Sequence, residues 1–190
     1  ITEYLSELDL TVRVVGNGGL DGLLETTEDN FSYNIGFTNN GLALEDGSSL
    51  DLPADVQMML DSGAIVKFSN ARLGVGSVAP TIDLSGSNLQ VLGTPTIVKS
   101  NGLPARDESG SVIPGSVFLT SVNDASIGIG NQVGVLPAPQ AGEWGGIDVR
   151  GALDSSDELR TNFENEGIFA NNINHADSRY GGGTGAGGGR

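Results

Sequence analysis

Cysteine is absent from the 190 residues. That excludes disulfides, metal–thiolate sites and a thiol nucleophile together. A domain without disulfides must draw its stability from an extended apolar core. Basic residues are scarce too: 9 Lys and Arg stand against 24 Asp and Glu, a formal net charge of −15. Such a surface repels phosphate backbones and anionic lipid, so nucleic acid is not an expected partner. Calcium is the cofactor that the acidity could attract, although keeping a protein soluble accounts for it more simply. No apolar run approaches about 20 residues, which argues against a membrane-spanning helix and direct membrane insertion. Residues 1–10 also lack the basic and apolar regions of a signal peptide, and Met is not first. The expectation is an excerpt from a longer mature protein, ending in the Gly-rich, flexible residues 181–190.

Turn formers are abundant by contrast. Thirty glycines occur without a G-X-Y period, which excludes collagen, and they are interspersed with Asn, Asp, Ser and Thr. Residues 8–14 alternate apolar and polar side chains, the pattern of a half-buried strand. Phe31, Tyr33, Ile35 and Phe37 repeat that spacing of two. Short apolar stretches follow at 50–52, 56–60, 64–68, 89–92, 96–98, 117–119, 147–149 and 168–173, each bounded by turn residues. The best helical candidate, 155–165, has no sustained apolar stripe. The chain reads as all-β.

Two architectures suit short, punctuated strands. An antiparallel sandwich needs hairpin signals and strands of about 5–6 residues. A solenoid needs shorter strands recurring every 20–30 residues or so, a spacing found from Val66 through Val91, Phe118 and Ile147 to Ile173. Stacked coils would rise about 4.8 Å each, so five or six would form a rod roughly 25–30 Å long. Ile65, Phe68, Val91, Phe118, Ile147 and Ile173 are then the expected inward ladder. Gly63, Gly93 and Gly146 would serve corners that a Cβ obstructs. Trp144 follows the Pro/Gly-rich stretch 135–142 and is expected to fold that loop onto the core, its indole N–H finding a partner.

Particular phrases favour the solenoid. Residues 51–68, from Asp51-Leu52-Pro53 through Asp61-Ser62-Gly63 to Lys67-Phe68, resemble the opening coils of bacterial secreted right-handed parallel β-helices. Gly93-Thr94-Pro95 and Phe118-Leu119-Thr120-Ser121-Val122-Asn123-Asp124 match their next phrase. Gly142-Glu143-Trp144-Gly145-Gly146-Ile147 and the Asn174–Gly182 phrase follow in the same order. The likeness spans about 43–183 and is closest to very large secreted surface proteins of planctomycete-type bacteria. Asp55 stands where that family usually has Gly, and Ser178 where it has an apolar residue. The resemblance implies a right-handed parallel β-helix over 42–180, with 1–41 as a β-rich lead-in or cap.

Chemistry-bearing constellations are thin. His175 is the sole histidine, and no motif sets a serine nucleophile beside it. Glu45/Asp46, Asp107/Glu108, Asp157/Glu158 and Glu164/Glu166 are carboxylate pairs of the kind any acidic protein supplies. Lys67, Arg72, Lys99 and Arg150 could act as the base of a calcium-dependent polysaccharide lyase, but no lyase-like motif surrounds them. Asp154-Ser155-Ser156-Asp157-Glu158 lacks the spacing of known calcium loops, and Asp46 and Asp124 read as turn acids. The glycines at 16–22 lack the Lys-Ser/Thr of a phosphate loop. The sequence therefore assigns no catalytic, cofactor-binding or metal-ligating residue.

Two classes of function remain. One is a non-catalytic structural or adhesive module of an extracellular bacterial cell-surface or filament protein, partnered by self-association, by further coils of a longer chain or by surface glycans. The other is a carbohydrate-active β-helix, a polysaccharide lyase or a glycan-binding domain. Few aromatics and few cations favour the first.

Overall fold

Residues 11–16, 31–36, 50–52, 56–75, 87–128, 136–149 and 171–183 are described by a computed structural model. Among them are eleven strands and no helix. The strands form where apolar and polar residues alternate. In Gln57–Asp61 and Asn88–Leu92 the second and fourth residues are buried and the others partly exposed, the signature of side chains pointing to opposite faces.

The pairing among these strands is parallel. The first sheet orders β1 (Thr11–Val14), β4 (Gln57–Asp61), β7 (Asn88–Leu92) and β10 (Asn172–Asn174). A second orders β11 (Ala176–Ser178), β8 (Val117–Ser121), β5 (Ile65–Phe68) and β2 (Tyr33–Ile35). The third orders β3 (Leu50–Asp51), β6 (Leu73–Val75) and β9 (Ile147–Val149). Along the chain the strands visit first, second and third sheet in fixed rotation, and every paired strand lies three further on in sequence. Thr11–Val14 and Tyr33–Ile35, both inside the expected lead-in, pair with β4 and β5.

Register aligns apolar residues in the first and third sheets. Val14, Leu60, Val91 and Ile173 form one row of Cα partners, and Leu50, Leu73 and Ile147 another. The main core lies between the sheets, joining Leu60 and Val91 of the first to Phe68 and Leu119 of the second and Leu73 and Val75 of the third. Polar side chains also stack: Gln57 Nε2 donates to Asn88 Oδ1 at 2.9 Å.

Two of the expected inward residues face the other way. Ile65 and Phe118 are partners on the far side of the second sheet, where Ile127 covers them in a separate cluster. The strand Ile65–Phe68 is buried on both faces, so its apolar run carries no alternation from which to read the inner face. Ile173 occupies its expected row but is 56% exposed.

Corners use backbone conformations that few residues adopt. Gly63 (φ +79°) turns the chain between β4 and β5, and His175 (φ +44°) turns it between β10 and β11. Asn70 (φ +50°), after β5, and Tyr180 (φ +59°), after β11, also lie in the left-handed region. Gly93 meets the other requirement, close approach: a Cβ there would strike the carbonyl oxygens of Asn174 and His175.

Residues 94–115 leave this plan. Thr94 pairs with Gly115, Val98 with Pro104 and Arg106 with Val112, all antiparallel, around a small core of Ile97, Ala105 and Ile113. The 96–98 stretch thus belongs to this meander and to none of the three parallel sheets. Short turns decide the matter, with Gly102 N–H donating to the Lys99 carbonyl and Gly110 N–H to that of Asp107 (2.9 Å each). The helical candidate 155–165 lies outside the described residues.

Candidate functional site

The densest polar cluster lies on the outer face of the second sheet. Lys67 projects outward from β5 beside Ile65, and Thr120 is its partner on β8. The loop after β8 folds back over them. Lys67 is 1% exposed, and its Nζ donates to the Asp124 backbone carbonyl at 2.8 Å. Burial pushes the amine below its ordinary range, against the pull of the Asp124 charge.

Asp124 is the hub, and at 1% exposure it is not the ordinary turn acid its sequence context suggests. Thr120 Oγ1 donates to Oδ2 at 2.8 Å; Ser126 N–H donates to Oδ1 at 3.0 Å, joined there by the Ser126 hydroxyl. Burial raises the affinity of this carboxyl for a proton, but donors from Ser126 and Thr120 outweigh it and hold the group below the usual carboxylate range. Arg179 approaches at 3.8 Å from just beyond the end of β11. Its guanidinium also forks onto Asp177 (3.0 and 2.6 Å), which raises it above its usual range, and lies 5.5 Å over the Phe118 ring.

Glu143 ties this loop to the one bearing Trp144. It accepts from the Ser121 hydroxyl and, at 3.1 Å, from Asn123 Nδ2. Trp144 is buried, stacks on Phe68 with centroids 4.5 Å apart, and donates from Nε1 to the Arg179 carbonyl at 2.7 Å. Gly181 lies against the indole. The expectation that Trp144 folds its loop onto the core therefore holds. Lys67 has the depressed basicity of a nucleophilic amine, yet it is occupied and shielded. The cluster works as a latch between loops.

A second feature lies on the outer face of the third sheet. Asp51, Gly74 and Asp148 are successive Cα partners. The Asp51 carboxylate fills the space that a Cβ on Gly74 would need, and its Oδ1 is buried without a hydrogen-bond partner. Asp148 accepts from Arg72 Nη1 at 3.1 Å.

The third feature is a cavity of about 510 Å³ at the end of the sheets formed by β10 and β11. Leu119, Trp144 and Ile147 line it from below, with Ile173, Ala176 and Tyr180 among the residues of the last turn. Gly181 and Gly183, expected within a flexible tail, bond to Gly142 and Trp144 and extend that turn.

The sequence candidates do not converge. His175 is an exposed turn residue whose carbonyl accepts from Val117 N–H at 3.0 Å. Lys99 and Asp107/Glu108 sit on the antiparallel meander, Lys67 in the latch and Arg72 beside Asp148. Arg150, Glu45/Asp46, Asp157/Glu158, Glu164/Glu166 and the acidic loop 154–158 lie outside the described residues. Among the described residues, no three His, Asp or Glu side chains cluster closely enough to hold a metal, and no helix is long and apolar enough to cross a membrane. The latch itself was missed in sequence, although one signal existed: a lysine between Val66 and Phe68, in a strand with no exposed face, needs a buried partner.

No family model, curated protein or solved structure matches this chain.

Proposed function

We infer that the chain is a segment of a right-handed parallel β-helix serving as a non-catalytic structural or adhesive module of an extracellular bacterial surface or filament protein. One observation carries the reading: the strands rotate through three parallel sheets in constant order, with apolar partners such as Leu60 and Val91, and Val66 and Leu119, aligned from strand to strand. Parallel crossovers of this kind are right-handed in about 98% of cases. The order of phrases from Asp51 to Gly182 supports the same family. The buried polar cluster around Asp124 joins a loop to the outer face of the second sheet, a bracing role that suits a structural module. Assignment to the cell surface rests on the family resemblance and on the acidic, cysteine-free composition.

A carbohydrate-active β-helix is the second reading, favoured by the unpartnered Asp51 oxygen beside Gly74, with Asp148 and Arg72 near it. Incubation with polygalacturonate and alginate, with and without calcium, separates the two. No release of unsaturated or reducing ends is expected; reproducible release abolished by Asp51→Asn would replace the first reading with the second.

A further inference from the structure

The outer faces of the three sheets differ in chemistry. On the second, Ile65 and Lys67 are buried, the lysine held by the loop that follows β8. On the third, Asp51 and Asp148 flank Gly74 and make the face acidic. The first remains accessible. Met58, Leu60, Leu89 and Val91 are buried, so the residues between them point outward, and these are partly exposed in β4 and β7. Their partners in β10 are exposed. Register sets the outward residues in rows across the strands: Thr11, Gln57 and Asn88 in one, Met59, Gln90 and Asn172 in the next, Leu92 and Asn174 in the third. Five of these side chains are amides, although Asn is depleted in strands and charged residues serve solubility better. The charges on this face, Arg13 and Asp61, pair with each other. A chain of net charge −15 thus presents here, among the described residues, donors and acceptors without net charge.

We propose that the outer face of the first sheet binds an uncharged, extended polysaccharide whose chain runs across the strands. The inference deepens the adhesive reading above and rests on it. Charge identifies the partner: a neutral glycan meets no repulsion on this face, whereas an acidic one meets the carboxylates of the surrounding protein with no row of cations to offset them. Each amide offers both donors and an acceptor to sugar hydroxyls, and Met59 and Leu92 meet the apolar C–H face of a ring. Adjoining strands lie about 4.8 Å apart, close to the length of one sugar in an extended chain. The bond from Gln57 to Asn88 holds two of the amides in place before a ligand arrives, which lowers the entropy cost of binding. Stacked amides also stabilise parallel strands by themselves. Asn172 and Asn174 lie outside the Gln57–Asn88 bond and separate the two roles.

Binding isotherms of the full chain on amorphous cellulose, chitin and insoluble xylan test this, in roughly 0.15 M and 1 M NaCl. The expected result is retention on at least one of the three that high salt leaves unchanged. Asn172→Ala combined with Asn174→Ala should weaken it roughly tenfold or more, since each lost hydrogen bond accounts for a factor of about three to ten. The urea midpoint of that double variant should stay at the parent value. Hydrogen exchange on the same samples separates the failures. No retention on any of the three, with β4 and β7 protected, overturns glycan binding and leaves the non-catalytic structural reading intact. Retention abolished by 1 M salt overturns the uncharged chemistry. Retention that the double variant keeps in full overturns the assignment to this face, and a fall in its urea midpoint without loss of retention assigns the amides to stacking alone. Absence of protection in β4 and β7 removes the coil reading, and the inference falls with it.

Discussion

The stacked strands and the antiparallel meander at 94–115 solve the same problem by opposite means. Each strand of the stack finds its partner only after the chain has passed through two other sheets, so Leu60 meets Val91 and Phe68 meets Ser121 across long sequence separations. The meander finds its partners within a few residues: Lys99 N–H reaches the Leu103 carbonyl and Asp107 N–H that of Ser111 (2.9 Å each). Closing a long loop costs entropy before any contact rewards it. The stack offsets that cost with a core shared among three sheets and with Trp144 stacked on Phe68. The meander has a cluster of three apolar residues and leaves Val98 and Leu103 exposed. Long-range pairing demands a deep core, whereas local pairing survives on turn chemistry.

The sharpest way to break this contrast is Trp144→Ala. It removes a buried ring, its stack on Phe68 and the bond to the Arg179 carbonyl. A loss of about 3–5 kcal/mol is expected in urea unfolding. A double-mutant cycle with Phe68→Leu should assign about 0.5–1.5 kcal/mol of it to the ring pair. A loss under 1 kcal/mol would mean that the two loops are held elsewhere.

The latch supplies the next effect. Asp124→Asn keeps the shape but removes the charge that Thr120, Ser126 and Arg179 address, and should cost about 1.5–3 kcal/mol. Because the folded carboxyl titrates below its ordinary value, its contribution is fully present above the unfolded pKa and is lost as pH falls through the folded one. The wild-type midpoint should therefore drop with acidification below the ordinary carboxylate range, and Asp124→Asn should flatten that part of the curve. Lys67 has the same sign at the alkaline side. Its folded pKa is also lowered, so its contribution to stability rises with pH between the folded value and the ordinary lysine value.

The meander should matter least. Thr94 and Gly115 already face each other, with Thr94 N–H on the Gly115 carbonyl at 2.8 Å and the Ser62 hydroxyl bonded to both residues. Replacing 95–114 with a short Gly/Asn turn should leave the urea midpoint within about 1 kcal/mol of the parent, since loop length alone changes closure entropy slowly. Collapse of the stack on excision would show that the two regions share a folding unit.

Much was legible in the residues themselves. Alternation in 57–61 and 88–92, a charge balance that repels phosphate, and a corner at Gly63 are local properties, settled by side-chain chemistry and backbone sterics. The order of phrases pointed to parallel strands, and the expected fate of Trp144 followed from its being a single large ring after a Pro/Gly-rich loop. Other features required the third dimension. Nothing local distinguishes 96–98 from a strand of the stack, because both show the same apolar period and differ only in which partner arrives. Which face of Ile65–Phe68 is inner could not be read from four buried residues in a row. Asp124 became a buried hub because a distant lysine and a distant arginine converge on it, and a sequence does not record convergence. Residue chemistry determines which segments extend and where they turn; only packing decides which partners meet, since burial and pairing are properties of the assembled surface.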